Sequence, residues 1–374
     1  MIAVVASGLW LFICMTKDKY KFKSIVPCLL SVGIFAVLST FLRTLDNGLS
    51  FVEAFFKQLQ FVLVIFYACI GVYYMKWKSR VLPMLMWLCI AVYAYFGFKT
   101  LIAYQTMPGI SRLIVRSSDD SMEFVKMGIG GYGLVYTMVF MISVALYVSL
   151  YEKKMIKKIC LLLFAIEGGI LVVQSGYFIA NIMLIFSLLA FILQVYRKKS
   201  IKSVIVMFIP IVIFLFVAYN FILQFQNEII KLVQGSLYEV KVHEILASLN
   251  GQEVEGKLEG RSIVYQKTFF NFLDYPILGA YAYGNGNMIG GHSTLFDLFG
   301  WFGLTSFAFY IVLKKVFRDL FYLCQDKGFY ILIVILFFMN GTLNTIAAAH
   351  GVIIFLAIPG AVAYVNQQNN KYLI

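Results

Sequence analysis

"GYGLVYTMVFMISVALYVSLYEKKMIKK", residues 131–158, decides the fold. From Gly131 to Tyr151 it carries no charged side chain, and Lys153, Lys154, Lys157 and Lys158 then crowd the residues that follow. A helix needs about 20 apolar residues to cross a hydrocarbon core about 30 Å thick. Inside that core every backbone N–H and C=O must be satisfied within the protein, which an α-helix does by itself. A membrane barrel strand would alternate apolar and polar positions over about 10 residues, and this run does not alternate. The same texture fills the chain: its 374 residues are 61% hydrophobic and 13% charged, with a mean hydropathy of +0.86.

Apolar runs fall at 2–16, 25–42, 58–75, 81–103, 131–151, 159–174, 177–196, 203–225, 293–313, 328–346 and 350–366. The first lacks the basic start and small-residue cleavage site of a signal peptide and counts as a span. The expectation is an all-α polytopic membrane protein, one transmembrane domain over 1–374 with about 11 transmembrane helices. The odd-numbered loops are basic: Lys17 to Lys23, Lys76 to Arg80, Lys153 to Lys158, Arg197 to Lys202 and Lys314 to Lys327. Lysine and arginine gather in cytoplasmic loops, so the N-terminus is expected outside and the C-terminus in the cytoplasm. The net charge of +13 is then an orientation signal, and no aromatic-interleaved basic patch points to nucleic acid.

Two loops stand out on the expected outer side, 104–130 and 226–292. Long loops in an otherwise economical chain carry function. In the second, "NEIIKLVQGSLYEVKVHEIL" (227–246) reads as one or two short amphipathic helices. "GRSIVYQKTFFNFL" (260–273) reads as another, with Ile263, Phe270 and Leu273 near one face. Pro276 and Gly279 stop it. The loop is expected to form a helical cap on the outer surface.

Several chemistries lack their residues. The six cysteines all fall in spans or on the cytoplasmic side, so no disulfide framework is expected outside. The three histidines, His243, His292 and His350, have no metal-ligand spacing, and neither a metal nor a cofactor is expected. There is no phosphate-binding G-x-x-x-x-G-K-[ST] loop for ATP and no G-x-S-x-G nucleophile elbow. No arginine ladder or potassium-filter sequence marks a channel.

What remains is "GNGNMIGGHSTLFDLFGWFGL", residues 284–304, a glycine-rich run that ends in a histidine at the mouth of an apolar helix. Arg261, "YPILG" (275–279), the glycine run, His292, Leu295 and Gly303 follow one another in order. That order is similar to the signature half of the O-antigen polymerase and O-antigen ligase superfamily: an arginine opening an external helix, a P-x-x-G turn, then a histidine with glycine eleven residues on. The resemblance covers about 258–310, and the rest of the chain only by topology. It departs at Ser293, where the family has asparagine, and at "VVQSGYFIAN" (172–181), where Ser175 is followed by Gly176 and Tyr177 instead of the family's arginine. Arg112 and Arg116 are the available substitutes.

The resemblance implies a bacterial enzyme of the cytoplasmic membrane that polymerises undecaprenyl-pyrophosphate-linked oligosaccharide units into O-antigen or capsular polysaccharide on the external face. It implies membrane lipid and a chain-length regulator as partners. The alternatives are the ligase, which transfers polymer to a lipid A core, and a flippase, which would show internal repeats and charge in several spans.

The chemistry suits the residues. Outside the cell there is no ATP, so the energy lies in the donor's glycosyl–pyrophosphate bond. A leaving pyrophosphate needs cations, and arginine's planar fork binds phosphate at two points. The attacking hydroxyl needs a base, for which histidine is suited near neutral pH. His292 and Arg261 are the catalytic candidates. Arg112, Arg116, Ser175, Tyr177, Asp297 and His350 are candidates for substrate binding. Several have a structural alternative: His292 as a helix cap, Arg261 as a solvated or headgroup-contacting arginine, Arg112 and Arg116 as ion-pair partners of Asp119, Asp120 and Glu123, His350 as a packing residue in "AAAHGV", and Asp297 as a hydrogen-bond acceptor for the loop above it.

The orientation is testable in intact cells. In a cysteine-free background, Ser118→Cys and Ser248→Cys should react with an impermeant maleimide and Lys154→Cys should not. The reverse pattern inverts the topology.

Overall fold

The computed structural model describes residues 2–17, 22–77, 80–107, 110–111, 114, 124, 126–203, 206, 217, 224–235, 239, 242–243, 246, 257–289, 291 and 293–369. Among them 84% are helical and none lies in a strand. The helices are α1 (Ile2–Lys17), α2 (Val26–Asn47), α3 (Phe51–Lys76), α4 (Val81–Thr106), α5 (Tyr132–Ser149), α6 (Met155–Gln174) and α7 (Phe178–Ile192). After them come α8 (Gln226–Val233), α9 (Lys257–Asp274), α10 (Thr294–Phe302), α11 (Phe307–Leu323), α12 (Lys327–Leu343), α13 (Ala348–Val352) and α14 (Ile358–Gln368).

Local signals set the boundaries. Pro27 stands in the first turn of α2, where a missing N–H costs nothing, and Gly48 ends that helix in the left-handed conformation at φ 60°. Two residues later Ser50 opens α3 with a capping box: its hydroxyl accepts from the Glu53 N–H at 3.3 Å while the Glu53 carboxylate accepts from the Ser50 N–H at 3.1 Å.

Among the described residues six segments are long and apolar enough to cross a membrane: Val26–Asp46, Phe51–Lys76, Val81–Thr106, Tyr132–Ser149, Thr294–Leu323 and Ala348–Gln368. The chain is an α-helical membrane protein by this measure. The remaining runs differ from the expectation of eleven spans. α7 covers only Phe178–Ile192, because Gln194 adopts φ 57° and turns the chain into a short 3-10 segment at Val195–Arg197. α1 has 16 residues and α12 has 17. α6 has the length but carries Lys157, Lys158 and Glu167. The run 203–225 lies almost wholly outside the described residues.

Apolarity alone does not say which helix is central. α5 and α4 are both apolar on all sides, yet α5 is buried from Val135 to Ser149 whereas α4 leaves Met84, Leu88, Phe98 and Ile102 exposed. α5 is also tied to its neighbours by polar links. Ser143 shares a 2.7 Å hydrogen bond with Ser187 of α7, and the Tyr93 hydroxyl of α4 donates to Thr137 at 2.8 Å. Such bonds tie helices together where burial of apolar surface gives no preference for protein over lipid. Glycine brings backbones close elsewhere: a Cβ at Gly71 would lie 2.2 Å from the Phe355 carbonyl, which belongs to the π turn Ile353–Ala357 between α13 and α14.

The polar contacts gather at two opposite ends. At one, the Tyr147 hydroxyl donates to Asp326 at 2.8 Å, the Gly328 N–H donates to the Lys198 carbonyl at 2.8 Å and the Asn366 amide donates to the Leu323 carbonyl at 3.0 Å. This is the lysine-rich end. At the other lie the starts of α3 and α10, the turn between α6 and α7, all of α9, and the loop between α12 and α13.

Candidate functional site

The second end is organised by one backbone contact. α9 stops at Asp274, and Pro276 begins a turn closed by the Gly279 N–H, which donates to the Tyr275 carbonyl at 3.0 Å. The Pro276 carbonyl then accepts from the Leu304 N–H at 2.8 Å. Gly303 stands between α10 and α11 at φ 55° and ψ −139°, a conformation that side chains resist. A Cβ there would lie 2.4 Å from the Pro276 carbonyl oxygen and 2.8 Å from the Gly279 nitrogen. A Cβ on Gly279 would lie 2.3 Å from the Trp301 carbonyl oxygen. The two glycines singled out in the sequence, twenty-four positions apart, thus form the two sides of one contact. Gly303→Ala should cost at least about 2 kcal/mol and lower the melting temperature in detergent; a variant that melts with the parent would show the contact to be dispensable.

The described residues between the glycines are pinned at several points. The Gly286 N–H donates to Asp46 at 2.8 Å, and its carbonyl accepts from the Trp301 indole at 3.3 Å. The Tyr281 ring meets Trp301, stacked at 5.8 Å, and the Arg43 guanidinium, 4.4 Å from its centroid. Arg43 and Asp46 come from the end of α2 and were not singled out in the sequence, where "FLRTLDNG" passes for the edge of a span. An arginine at the end of an apolar run is the signal that could have found them. Farther on, the Gly291 carbonyl accepts from the Thr345 hydroxyl at 3.0 Å, and the Thr294 N–H donates to the Asn344 carbonyl at 3.2 Å. His292 lies outside the described residues, as do Arg112 and Arg116. Both neighbours of position 292 are held.

Ser293 caps α10, its hydroxyl accepting from the Phe296 N–H at 3.3 Å. Asp297 is fully buried. Its Oδ2 accepts from the Ser293 N–H at 2.7 Å and its Oδ1 from the Thr268 hydroxyl of α9 at 3.2 Å. The carboxylate therefore ties α9 to the residue next to position 292. Arg261 lies on the same helix two turns before Thr268. The face of α9 that carries Thr268 and Asn271 turns inward, and Phe269, Phe270 and Leu273 face outward, as suits a helix at a lipid boundary. Asp297→Asn replaces one of the two acceptor oxygens by an NH2 group that faces a donor. It should destabilise by about 1–3 kcal/mol and loosen the 291–294 segment to limited proteolysis; an unchanged cleavage pattern and melting point would remove Asp297 from that role.

Ser175 is buried in the α6–α7 turn, where its hydroxyl donates to the Val172 carbonyl at 2.6 Å and accepts from the Tyr177 N–H at 3.2 Å. The Tyr177 hydroxyl donates to the Ser111 carbonyl at 2.9 Å, beside position 112. Its ring meets Tyr132 edge-on at 5.8 Å. The Tyr132 hydroxyl in turn accepts from the Thr345 N–H at 3.1 Å. A chain of contacts thus runs from Ser175 and Tyr177, through Tyr132 and Thr345, to Gly291. His350 is buried at the start of α13, its Nδ1 accepting from the Ala347 N–H at 3.1 Å.

Of the residues selected from the sequence, Ser175 and Tyr177 are linked through Tyr132 and Thr345 to Gly291, and Asp297 through Thr268 to α9; Thr268, Tyr132 and Thr345 carry no signature in the sequence. Among the described residues no group of three metal-ligating side chains comes together. What the arrangement can do is hold a glycine-rich segment at a polar helix-bundle end with a guanidinium nearby. No family model, no curated protein and no solved structure matches this chain.

Proposed function

We propose that this chain is an integral-membrane glycosyltransferase of the bacterial cytoplasmic membrane, polymerising lipid-pyrophosphate-linked oligosaccharide units on the external face. The observation that carries this reading is the docking of the Pro276–Gly279 turn on Gly303. It fastens the segment bearing position 292 at the end of the bundle opposite the lysines. Eleven crossings with the N-terminus outside and the C-terminus in the cytoplasm would turn this end outward, in keeping with the basic residues at the other.

In the reaction the terminal sugar hydroxyl of one unit attacks the anomeric carbon of another. The bond from that carbon to the pyrophosphate oxygen breaks as the new glycosidic bond forms. His292 accepts the hydroxyl proton, and polyprenyl pyrophosphate leaves with the bonding electrons. Arg261 neutralises the charge that develops on the leaving group, with Arg112, Arg116 and Arg43 as further cations. Asp297 acts through Ser293 on the position of the base. Ser175 and Tyr177 shape the opposite wall.

The test uses the purified protein in vesicles with the lipid-pyrophosphate oligosaccharide that accumulates in cells lacking the protein. A polymer ladder with release of polyprenyl pyrophosphate is expected. His292→Ala and His292→Gln should both slow it by about a hundred- to ten-thousand-fold, and Arg261→Lys should fall strongly because it loses the two-point fork. Transfer only to an added lipid A core would make the protein a ligase, and movement across the bilayer without bond formation would make it a flippase. An active His292→Ala variant rejects the base.

A further inference from the structure

We infer that Tyr283 and Tyr275, stacked at the start of the glycine-rich segment, form an open platform for one pyranose ring of the glycan. The inference rests on the glycosyltransferase reading and names a surface on which that enzyme holds a sugar. The two ring centroids lie 4.5 Å apart, with the planes at 25°. Tyr275 is half-buried, whereas Tyr283 is 58% exposed. Among the described residues Tyr275 is the only ring that meets Tyr283. One face of the Tyr283 ring is therefore covered by Tyr275, and the other is open.

The backbone aims Tyr283 outward. Ala280–Tyr283 is a short 3-10 turn, in which residues two apart point to different sides. Tyr281 takes the inward position, buried against Trp301 and Phe302. Gly284 ends the turn at φ 73°, and the Asn285 N–H donates to the Ala280 carbonyl at 3.0 Å. The second ring is fixed as well. The Tyr275 N–H donates to the Asn271 carbonyl at 2.9 Å, and the Tyr275 hydroxyl accepts from the Asn285 amide at 2.9 Å. Gly279, docked on Gly303, stands four residues from each tyrosine. The pair is thus formed before any ligand arrives, and a rigid aromatic side chain gives contact area at little entropic cost.

The atoms around the open ring specify the ligand class. The Tyr275 hydroxyl accepts from Asn285 and keeps its own hydrogen to donate. Among the described residues the Asn285 Oδ1 and the Tyr283 hydroxyl have no hydrogen-bond partner. A flat apolar face is therefore bordered by two hydroxyls and an amide oxygen. A pyranose has the matching form, a face of C–H groups with hydroxyls around its edge. A phosphate would find no cation in this set, and a lipid chain would use the ring but leave the polar border unmet. The side chains that α9 and its turn offer to lipid are of another kind: Phe269, Phe270, Leu273 and Ile277 are exposed and carry no polar atom. The platform and position 292 belong to one stretch of chain, nine residues apart.

Tyr283→Leu keeps an apolar side chain for lipid but removes the flat ring, and Tyr283→Phe keeps the ring. The oligosaccharide freed from the accumulated lipid-linked unit by mild acid serves as the binding probe, and the intact unit as substrate, with the protein in vesicles. The leucine variant should bind the free oligosaccharide about tenfold more weakly and show a KM raised about tenfold, with kcat within about twofold and the parent's melting temperature. The phenylalanine variant should stay within about threefold of the parent in both. On the parent, the oligosaccharide should protect Tyr283 from nitration by tetranitromethane, a readout that stands even if the leucine variant does not fold. Unchanged binding and KM in the leucine variant, or a Tyr283 left unprotected, make the ring a membrane-interface anchor and overturn the platform while the enzyme reading stands. A parent protein that binds the free oligosaccharide, with Tyr283→Leu losing it, but makes no polymer keeps the platform and rejects the glycosyltransferase.

Discussion

Everything at the polar end of this protein depends on two glycines meeting backbone to backbone. Gly279 and Gly303 let the turn after α9 lie against the break between α10 and α11, with a Cβ on either one colliding with main-chain atoms of the other segment. The contact fixes α9 against α10 and sets the path by which the chain leaves the turn at Ala280. The Tyr281–Trp301 stack, the Asp46 bond to Gly286 and the Asp297 bonds to Ser293 and Thr268 then hold that path from both sides. Replace the contact by anything wider and these bonds lose their register together.

Membrane-spanning helices are legible in sequence because a single requirement dominates them. A run such as Tyr132–Ser149 must satisfy its own backbone and present apolar side chains, and little else. The lysines between runs are equally plain. The order of turn, glycine run and glycine was visible too, and the folded chain joins Gly279 to Gly303. Lost from the sequence was which helix lies at the centre. α4 and α5 look alike in composition, and only the folded chain shows α5 packed against α4, α6, α7, α12, α13 and α14 while α4 leaves Met84, Leu88, Phe98 and Ile102 exposed. The early end of α7 was also hidden, because Gln194 takes a left-handed conformation that its residue type does not announce.

The site is less legible than the fold for a related reason. Sequence draws attention to charged and titratable residues, so Asp297 and His350 stood out. Thr268, Tyr132 and Thr345 are unremarkable until helices bring them to Asp297, Thr345 and Gly291. Arg43 reads as the edge of a span, yet its guanidinium lies over Tyr281. Residues that act by holding others have no signature of their own, and their importance arises only once the backbone has been placed.

The central claim is that the glycan chemistry takes place at the glycine-docked end. A lipid-pyrophosphate oligosaccharide bearing a photoreactive group on the sugar next to the pyrophosphate tests it most directly. After irradiation of the purified protein, peptide mapping should place the label within 257–294 and 340–350, with a loss of labelling when unmodified substrate competes. Competable label confined to the lysine-rich end, at 194–199 or 324–327, would contradict the account.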